Sequence, residues 1–429
     1  MNKETTDQLS TQLLQFLDHS PTAWHAVSNC RQELVKAGFK EINEDEQWKL
    51  KAGGRYFVTR NGSSICAFSL PESPPKEVRV AASHTDSPSF KLKPHAEFIK
   101  ENMTMLGLEV YGAPLITSWL NRDLCIAGRL VFTDTKGETC EALVHLNEHP
   151  VVIPQLAIHL DRNVNDSGPV LNKQEHLAAL AGITDKKTAS SFLERSLKKA
   201  IPLKTLLAYD LFLVPVEPAS LIGENRELIA SYRIDSLMSV YAALRGLLEQ
   251  KPSNRERIQM VVFWDNEEIG SHTAQGAASP FFTQTLERVC AGLNLSRDDY
   301  FRLLSRSLCA SVDLGHAFHP GYPEKHEPRH LALLNQGIII KTNAQHRYAS
   351  DARSSAEIVR LCHEHNIPLQ HYVTRGDIPC GSTVGPIHAQ LTGMPTVDIG
   401  IAQLSMHSCR ELASYKDFTY LNQLLKCFF

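Results

Sequence analysis

Long apolar runs are missing from this chain. No window approaches the roughly 18 consecutive apolar residues that a membrane-spanning helix needs. The opening residues, MNKETTDQLSTQLLQF, carry acids and amides where a secretory leader would carry an apolar stretch. An excess of either charge is missing too: 44 Lys and Arg stand against 47 Asp and Glu, a formal net charge of −3. A chain without a broad basic field is a poor binder of phosphate backbones, so no nucleic-acid partner and no membrane partner is expected. None of the ten cysteines forms a CxxC pair. Scattered singly, they read as reduced, mostly buried thiols, and the cytoplasm is the expected compartment. Low-complexity tracts and repeats of 20–50 residues are absent, which excludes solenoids and arrays.

What is present looks globular. Hydrophobic residues make up 43% and charged residues 21% of 429 positions, enough for one to three domains. Residues 5–37 predict two helices broken at Ser20-Pro21-Thr22. RYFVTRNGSSICAFSL predicts a hairpin turning at Asn61-Gly62, and VRVAAS (78–83) a short buried strand. Between 88 and 225 short strand-like pieces (LEVYG, RLVFTD, EALVHL, VVIPQLAIHL, DLFLVPV) are separated by Gly, Pro and Asn turns, with one helical insert near 187–200. Strands and helices alternate again afterwards, as SLMSVYAALRGLLEQ, RIQMVVFW, LCASVD, GIIIK, DARSSAEIVRLCHEH, LQHYVT, TVDIGI and YKDFTYLNQLLKCFF. The pattern predicts an α/β three-layer sandwich around a largely parallel sheet, built from residues 1–87 and 226–429, with an inserted mostly-β domain at 88–225.

The chemistry collects where the strands end. VRVAAS is followed by His84 and Asp86, MVVFW by Asp265, Glu267 and Glu268, LCASV by Asp313 and His316, and TVDIGI, after a loop, by His407. SYRID delivers Asp235 just before a helix. Ligands of open α/β sheets bind outside the carboxyl ends of the strands. Imidazoles and carboxylates gathered there suit Zn²⁺, Mn²⁺ or Co²⁺ without thiolates. Two histidines and three carboxylates are more donors than one open catalytic zinc accepts. They suit two ions about 3.5–4 Å apart that share a carboxylate. In the run Asp265-Asn266-Glu267-Glu268 one glutamate can then coordinate while its neighbour serves as general base. Taken singly, each residue also has a plain structural use: a strand-end His as a hydrogen-bonded loop residue, a Glu-Glu pair as a solvated turn, Asp313 or Asp235 as a helix cap.

The blocks SHTDSP (83–88), PQLAIHLDRNVN (154–165), RID (233–235), DNEEIGS (265–271), SVDLGHAFHP (311–320), KTNAQHRYAS (341–350), DIPCGSTVGP (377–386) and MHSCRE (406–411) resemble, in this order, those of the aspartyl aminopeptidase family of di-zinc metallopeptidases. The resemblance implies that two zinc ions per subunit are held by His84, Asp235, Glu268, Asp313 and His407, with Asp235 bridging. It implies Glu267 as general base, Asp86 as the carboxylate that fixes the His84 tautomer, and His159 as a residue that reaches a neighbouring subunit's site. His316, Lys341, Tyr348 and Met406 match positions lining the substrate site, and Lys341 is the candidate partner of an acidic substrate side chain. The family usually has Asn after the bridging aspartate, whereas this chain has Ser236. Similar enzymes hold that peptide bond cis, so a cis Asp235–Ser236 bond is expected.

The expected activity is removal of an N-terminal residue, preferably Asp or Glu, from peptides with a free N-terminus. The expected assembly is a homo-oligomer, with a dimer building block and a dodecamer as the family form. Two alternatives stand beside this reading. One is another hydrolase on the same cage, such as a neutral aminopeptidase, a carboxypeptidase or an amide deacylase. The other is a metal-stabilised scaffold without catalysis.

Overall fold

The computed structural model describes residues 3–184, 191–250 and 256–429. The chain divides into two compact units. The first takes residues 1–86, 219–406 and 411–429, and the second takes 87–218 together with 407–410.

The first unit is built on a nine-stranded sheet in the order Lys40–Glu41, Arg55–Arg60, Ser64–Ser69, Arg257–Trp264, Glu77–His84, Leu308–Val312, Thr396–Gly400, Ile338–Thr342 and Leu369–Val373. The four central strands, Arg257–Trp264 to Thr396–Gly400, run parallel to one another. Direction reverses on one side at the hairpin Arg55–Arg60/Ser64–Ser69 and on the other at Ile338–Thr342. The hairpin turns at Asn61-Gly62, where both residues have positive φ, the conformation that Asn and Gly tolerate best.

Alternation along these strands explains the three layers. Val261 and Phe263 pack into one core with Phe57, Ile65, Ala67 and Ala81. Met260, Val262 and Trp264 enter a second core with Val58, Phe68, Val80 and Ala82. A sheet buried on both faces needs helices on both. On the first face lie Ala23–Lys36, Ile234–Leu248 and Tyr415–Phe428, on the second Phe281–Gly292, Arg297–Arg306 and Val384–Thr392. Helix Ile234–Leu248 buries nearly every residue, which is why it lacks a polar stripe. A smaller five-stranded sheet, Ser220–Ile222, Leu228–Ser231, Glu411–Ser414, Ala402–Leu404 and Gly315–His316, completes this unit.

The second unit is a six-stranded antiparallel sheet, Thr139–Val151, Leu124–Asp134, Leu203–Pro215, Ser89–Lys100, Met103–Tyr111 and Ala178–Ile183. An isolated bridge between Val152, just past the first strand, and Leu180 of the last brings the two edges together at one point. Helix Phe192–Ala200, capped by the Ser191 side chain, lies against it. The remainder of the helical insert expected at 187–200, residues 187–190, lies outside the described residues. All ten cysteines are free, and seven of them are buried. No helix among the described residues is long and apolar enough to cross a membrane.

Candidate metal centre

Parallel neighbours end at the same edge of the sheet, and that is what gathers the site. His84 is the last residue of its strand and pairs in register with Trp264, the last residue of the next. Asp313 follows Val312, and its N–H donates to the Ile399 carbonyl at 2.9 Å. The approach is close: a Cβ on Gly400 would lie 1.8 Å from the Asp313 carbonyl oxygen, so only glycine lets Thr396–Gly400 run beside it. Asp235 arrives from the N-terminus of the buried helix, through Arg233 in the left-handed region and a cis Asp235–Ser236 peptide bond.

The side chains converge on one point. His84 Nε2 lies 3.3 Å from Asp235 Oδ1 and 3.5 Å from Asp313 Oδ1. His84, Asp235 and Glu268 each offer a ligand atom within 4.8 Å of the others. On the far side of the ring, Nδ1 lies 3.1 Å from the Asp86 carbonyl oxygen and 3.5 Å from Asp86 Oδ1. A carbonyl can only accept, so Nδ1 carries the proton and Nε2 presents a lone pair to two carboxylates. That arrangement is repulsive unless a proton or a cation lies between them. Burial opposes protonation of the imidazole, yet the Asp235, Asp313 and Asp86 carboxylates outweigh it and push its pKa well above the ordinary value. The donor set, one imidazole with buried or half-buried carboxylates and no thiolate, fits zinc.

The loop after Trp264 is shaped by its backbone. Asn266 and Gly270 sit in the left-handed region and bracket one short turn, Glu267–Ile269. The Asp86 carboxylate clamps this turn, accepting the Glu267 N–H on Oδ1 and the Glu268 N–H on Oδ2, each at 3.1 Å. The carboxylate therefore fixes the glutamate pair, while the same residue's carbonyl is the nearer partner of His84. Burial raises the Glu267 pKa well above the ordinary carboxylate range, and Glu268, Asp313 and Asp86 add to the shift against opposition from His84. Asp265, also buried, is pushed up to about 7 by burial and by Asp86. Behind them Arg233, buried, donates to the Thr85 carbonyl.

Lys341 is buried, with Nζ 3.0 Å from the Leu314 carbonyl oxygen and 3.4 Å from Asp313 Oδ2. The ammonium also lies 5.3 Å from the Tyr348 ring centroid. Tyr348 is buried against Tyr372, and His316 is exposed with its ring 6.5 Å from Tyr372. Met406 is half-buried against the first core. Two expected residues belong to the second unit. His407 has φ of 65° and sets Nδ1 3.1 Å from the Ala113 carbonyl oxygen, so Nδ1 is the donor and Nε2 keeps its lone pair. The strand expected over VVIPQLAIHL stops at Val151: Pro154 has no N–H to give a ladder and residues 154–160 are exposed, so His159 sits in an exposed turn.

Sequence reading passed over three residues that hold the site's backbone: Arg233, Ser83 and Glu411. Ser83 Oγ lies 3.2 Å from Ser236 Oγ, and the Glu411 carboxylate accepts the Asp235 N–H at 3.0 Å. All three lie within the family blocks SHTDSP, RID and MHSCRE, but a Ser, Arg or Glu there carries no mark of being buried.

The model of the aminopeptidase I zinc metalloprotease (M18) family matches residues 16–429. Probable M18 family aminopeptidase 2 from Clostridium novyi is 39% identical over 435 residues, covering 98% of both chains. The protein of that name from Ectopseudomonas mendocina is 39% identical over 430 residues, covering 99% of this chain and 98% of its own. Among solved structures, the cryo-EM complex of Ape4 and Nbr1 superposes with a TM-score of 0.93 at 34% identity, covering 99% of this chain and 86% of that one. The S. cerevisiae mApe1 dodecamer superposes with a TM-score of 0.86 at 28% identity, covering 99% and 97%. A match over nearly the whole length, with imidazole and carboxylates assembled at the strand ends, places this chain in the M18 aminopeptidase family of zinc metalloproteases, hydrolases of peptide bonds.

Proposed function

We propose that this zinc aminopeptidase prefers peptides beginning with Asp or Glu, and that His84, Asp235, Glu268, Asp313 and His407 hold two ions with Asp235 shared between them. The supporting observation is the His84 ring, whose Nε2 faces two carboxylate oxygens at 3.3 and 3.5 Å. Zinc bound there would polarise the scissile carbonyl and make water acidic enough to attack near neutral pH, with Mn²⁺ or Co²⁺ as substitutes. Glu267 takes the proton of the attacking water and returns it to the leaving amine. Its pKa, raised first by burial, suits a group that takes up a proton, and Asp86 aims it by holding the N–H groups of Glu267 and Glu268.

His159 serves a neighbouring copy's site, steadying the negative charge that develops on the attacked carbonyl oxygen. Its exposure, between the exposed apolar residues Ile158 and Leu160, supports a role in trans. The working form is accordingly a homo-oligomer with a dimer building block, and the yeast relative is a dodecamer. The strand-rich unit carries the subunit contacts, and the cytoplasm is the compartment.

His316, Tyr348 and Met406 line the first-residue pocket, and Lys341 meets the acidic side chain. One observation favours the rival reading, a neutral first residue: the Lys341 ammonium already lies 3.4 Å from Asp313 Oδ2. Zinc-reconstituted protein and its Lys341→Met variant, assayed on the anilides of Asp, Glu and Leu, separate the two. The expected result is a KM for the Glu anilide that rises about tenfold more than that for Leu, the loss of about 1.4 kcal/mol of uniform binding. Equal effects on both substrates would leave the neutral reading standing.

A further inference from the structure

Glu411 is a buried carboxylate, 2% exposed, that the mechanism above does not use. It opens the strand Glu411–Ser414 and pairs in register with Ser231, four residues before Asp235. Its Oε2 accepts the backbone N–H of Asp235 at 3.0 Å. The N–H groups in the first turn of a helix have no partner within that helix. Here the turn cannot supply a substitute, because Asp235 and Ser236 depart from helical geometry, with φ/ψ of −82°/111° and −118°/29°. Immediately after Asp235, the Ser236 hydroxyl meets Ser83, the residue before His84, at 3.2 Å. The aspartate is thus flanked by one hold on its own N–H and one on the next side chain. A carboxyl group buried beside a cluster of acids is costly to keep. It is retained where it holds something that must not move.

We propose that Glu411 is a positioning residue of the metal centre. By accepting the Asp235 N–H it fixes where that carboxylate stands relative to His84 Nε2, and so sets the affinity for zinc. The inference rests on the metal-centre reading given above. Outer partners of metal ligands commonly change metal affinity by about 10–100-fold when removed.

The test is zinc affinity of the metal-stripped full chain by competition with a chromogenic chelator, alongside the melting temperature of the same metal-free protein. Glu411→Met fills the same length and cannot accept the N–H, so its zinc affinity falls about 10–100-fold. Glu411→Gln keeps an accepting oxygen and stays within about threefold of wild type. Glu411→Asp draws the acceptor back by one methylene, about 1.5 Å, and weakens binding while keeping the charge. It carries the test if the Met variant fails to fold. Wild-type zinc affinity in folded Glu411→Met or Glu411→Asp would overturn the inference. So would a folded Glu411→Gln as weak as Glu411→Met, since the charge and not the acceptor would then matter. Unchanged zinc affinity in His84→Ala would remove the metal-centre reading itself, and this inference with it.

Discussion

The two units handle polarity in opposite ways. In the first, charged and polar side chains go inside: His84, Asp86, Asp235, Lys341, Asp398 and Glu411 are all less than a tenth exposed. Asp86, Lys341, Asp398 and Glu411 are held by hydrogen-bond partners, while His84 and Asp235 face each other where a cation is needed. In the second, apolar side chains come out: Leu156, Ile158, Leu160, Val170 and Ile183 are 44–87% exposed. Interior polarity is expensive and exposed apolar clusters are a liability, so neither is kept without use. The first unit holds opposing charges where a cation will sit, and the second presents a surface that gains by being covered. On the proposed reading the metal ligands other than His407 come from the first unit, while the second carries the surface to be covered and lends His159 to a neighbouring copy.

The largest expected effect breaks the first half of that contrast. Glu267→Gln keeps the size of the side chain and removes its basicity. The kcat of the zinc-loaded enzyme should fall about 10³-fold, within the usual range for loss of a general base. Zinc content per chain, measured by atomic emission, should stay at the wild-type level because Glu267 is not among the proposed ligands. Loss of zinc in this variant would mean that the carboxylate coordinates, and the roles of Glu267 and Glu268 would have to be exchanged.

A change in the second unit should act without touching any metal ligand. Leu160 and Val170 are 74% and 87% exposed. Replacing both with Asp puts charge on the surface that is to be covered. Light scattering should then report a smaller particle, and because His159 would lose its neighbour, kcat should drop about 10²-fold, the usual loss for one donor to a developing oxyanion. Zinc per chain should not change. A particle of wild-type mass would show that the apolar stretch does not lie between subunits.

The site was more legible than its supports, for a physical reason. Strand exits show themselves because apolar runs such as MVVFW stop abruptly at acids, and parallel strands must end on one side. His84, Glu268 and Asp313 were readable in that way, and Asp235 as the acid just before a helix. The direction of Ile338–Thr342, antiparallel to Thr396–Gly400, was not, since an apolar run carries no mark of polarity. Nor was the five-stranded sheet, whose strands Ser220–Ile222, Ala402–Leu404 and Gly315–His316 are too short to show a period of two. The family resemblance implied Asp86 as a partner of His84, but its grip on the Glu267 turn spans 181 residues. Glu411 escaped notice for the same reason, because its partner lies 176 residues away. Pattern reports what a residue is beside in the chain, and these holds are made across it.

The smallest expected effect sharpens the contrast inside the first unit. Not all its buried polarity is matched. His388 is 1% exposed in helix Val384–Thr392, packed at 4.6 Å from Phe282 and 5.9 Å from Trp264 by ring centroids. Its Nε2 has no hydrogen-bond partner among the described residues. Burial alone lowers its pKa to about 3. The unfolded chain takes up this proton as pH falls through about 6.5, while the folded chain refuses it until about 3. The histidine's contribution to stability is therefore complete above pH 6.5 and is lost on acidification, at about 1.4 kcal/mol per pH unit. His388→Leu, of similar volume and without a proton to gain, should flatten that slope. Denaturation midpoints of metal-free wild type and variant, followed from pH 7 to pH 5, should show the wild type falling relative to the variant. Parallel curves would mean that the His388 ring takes its proton as readily in the fold as outside it. The matched, charged interior of this unit would then extend to a residue that stands apart from the metal centre.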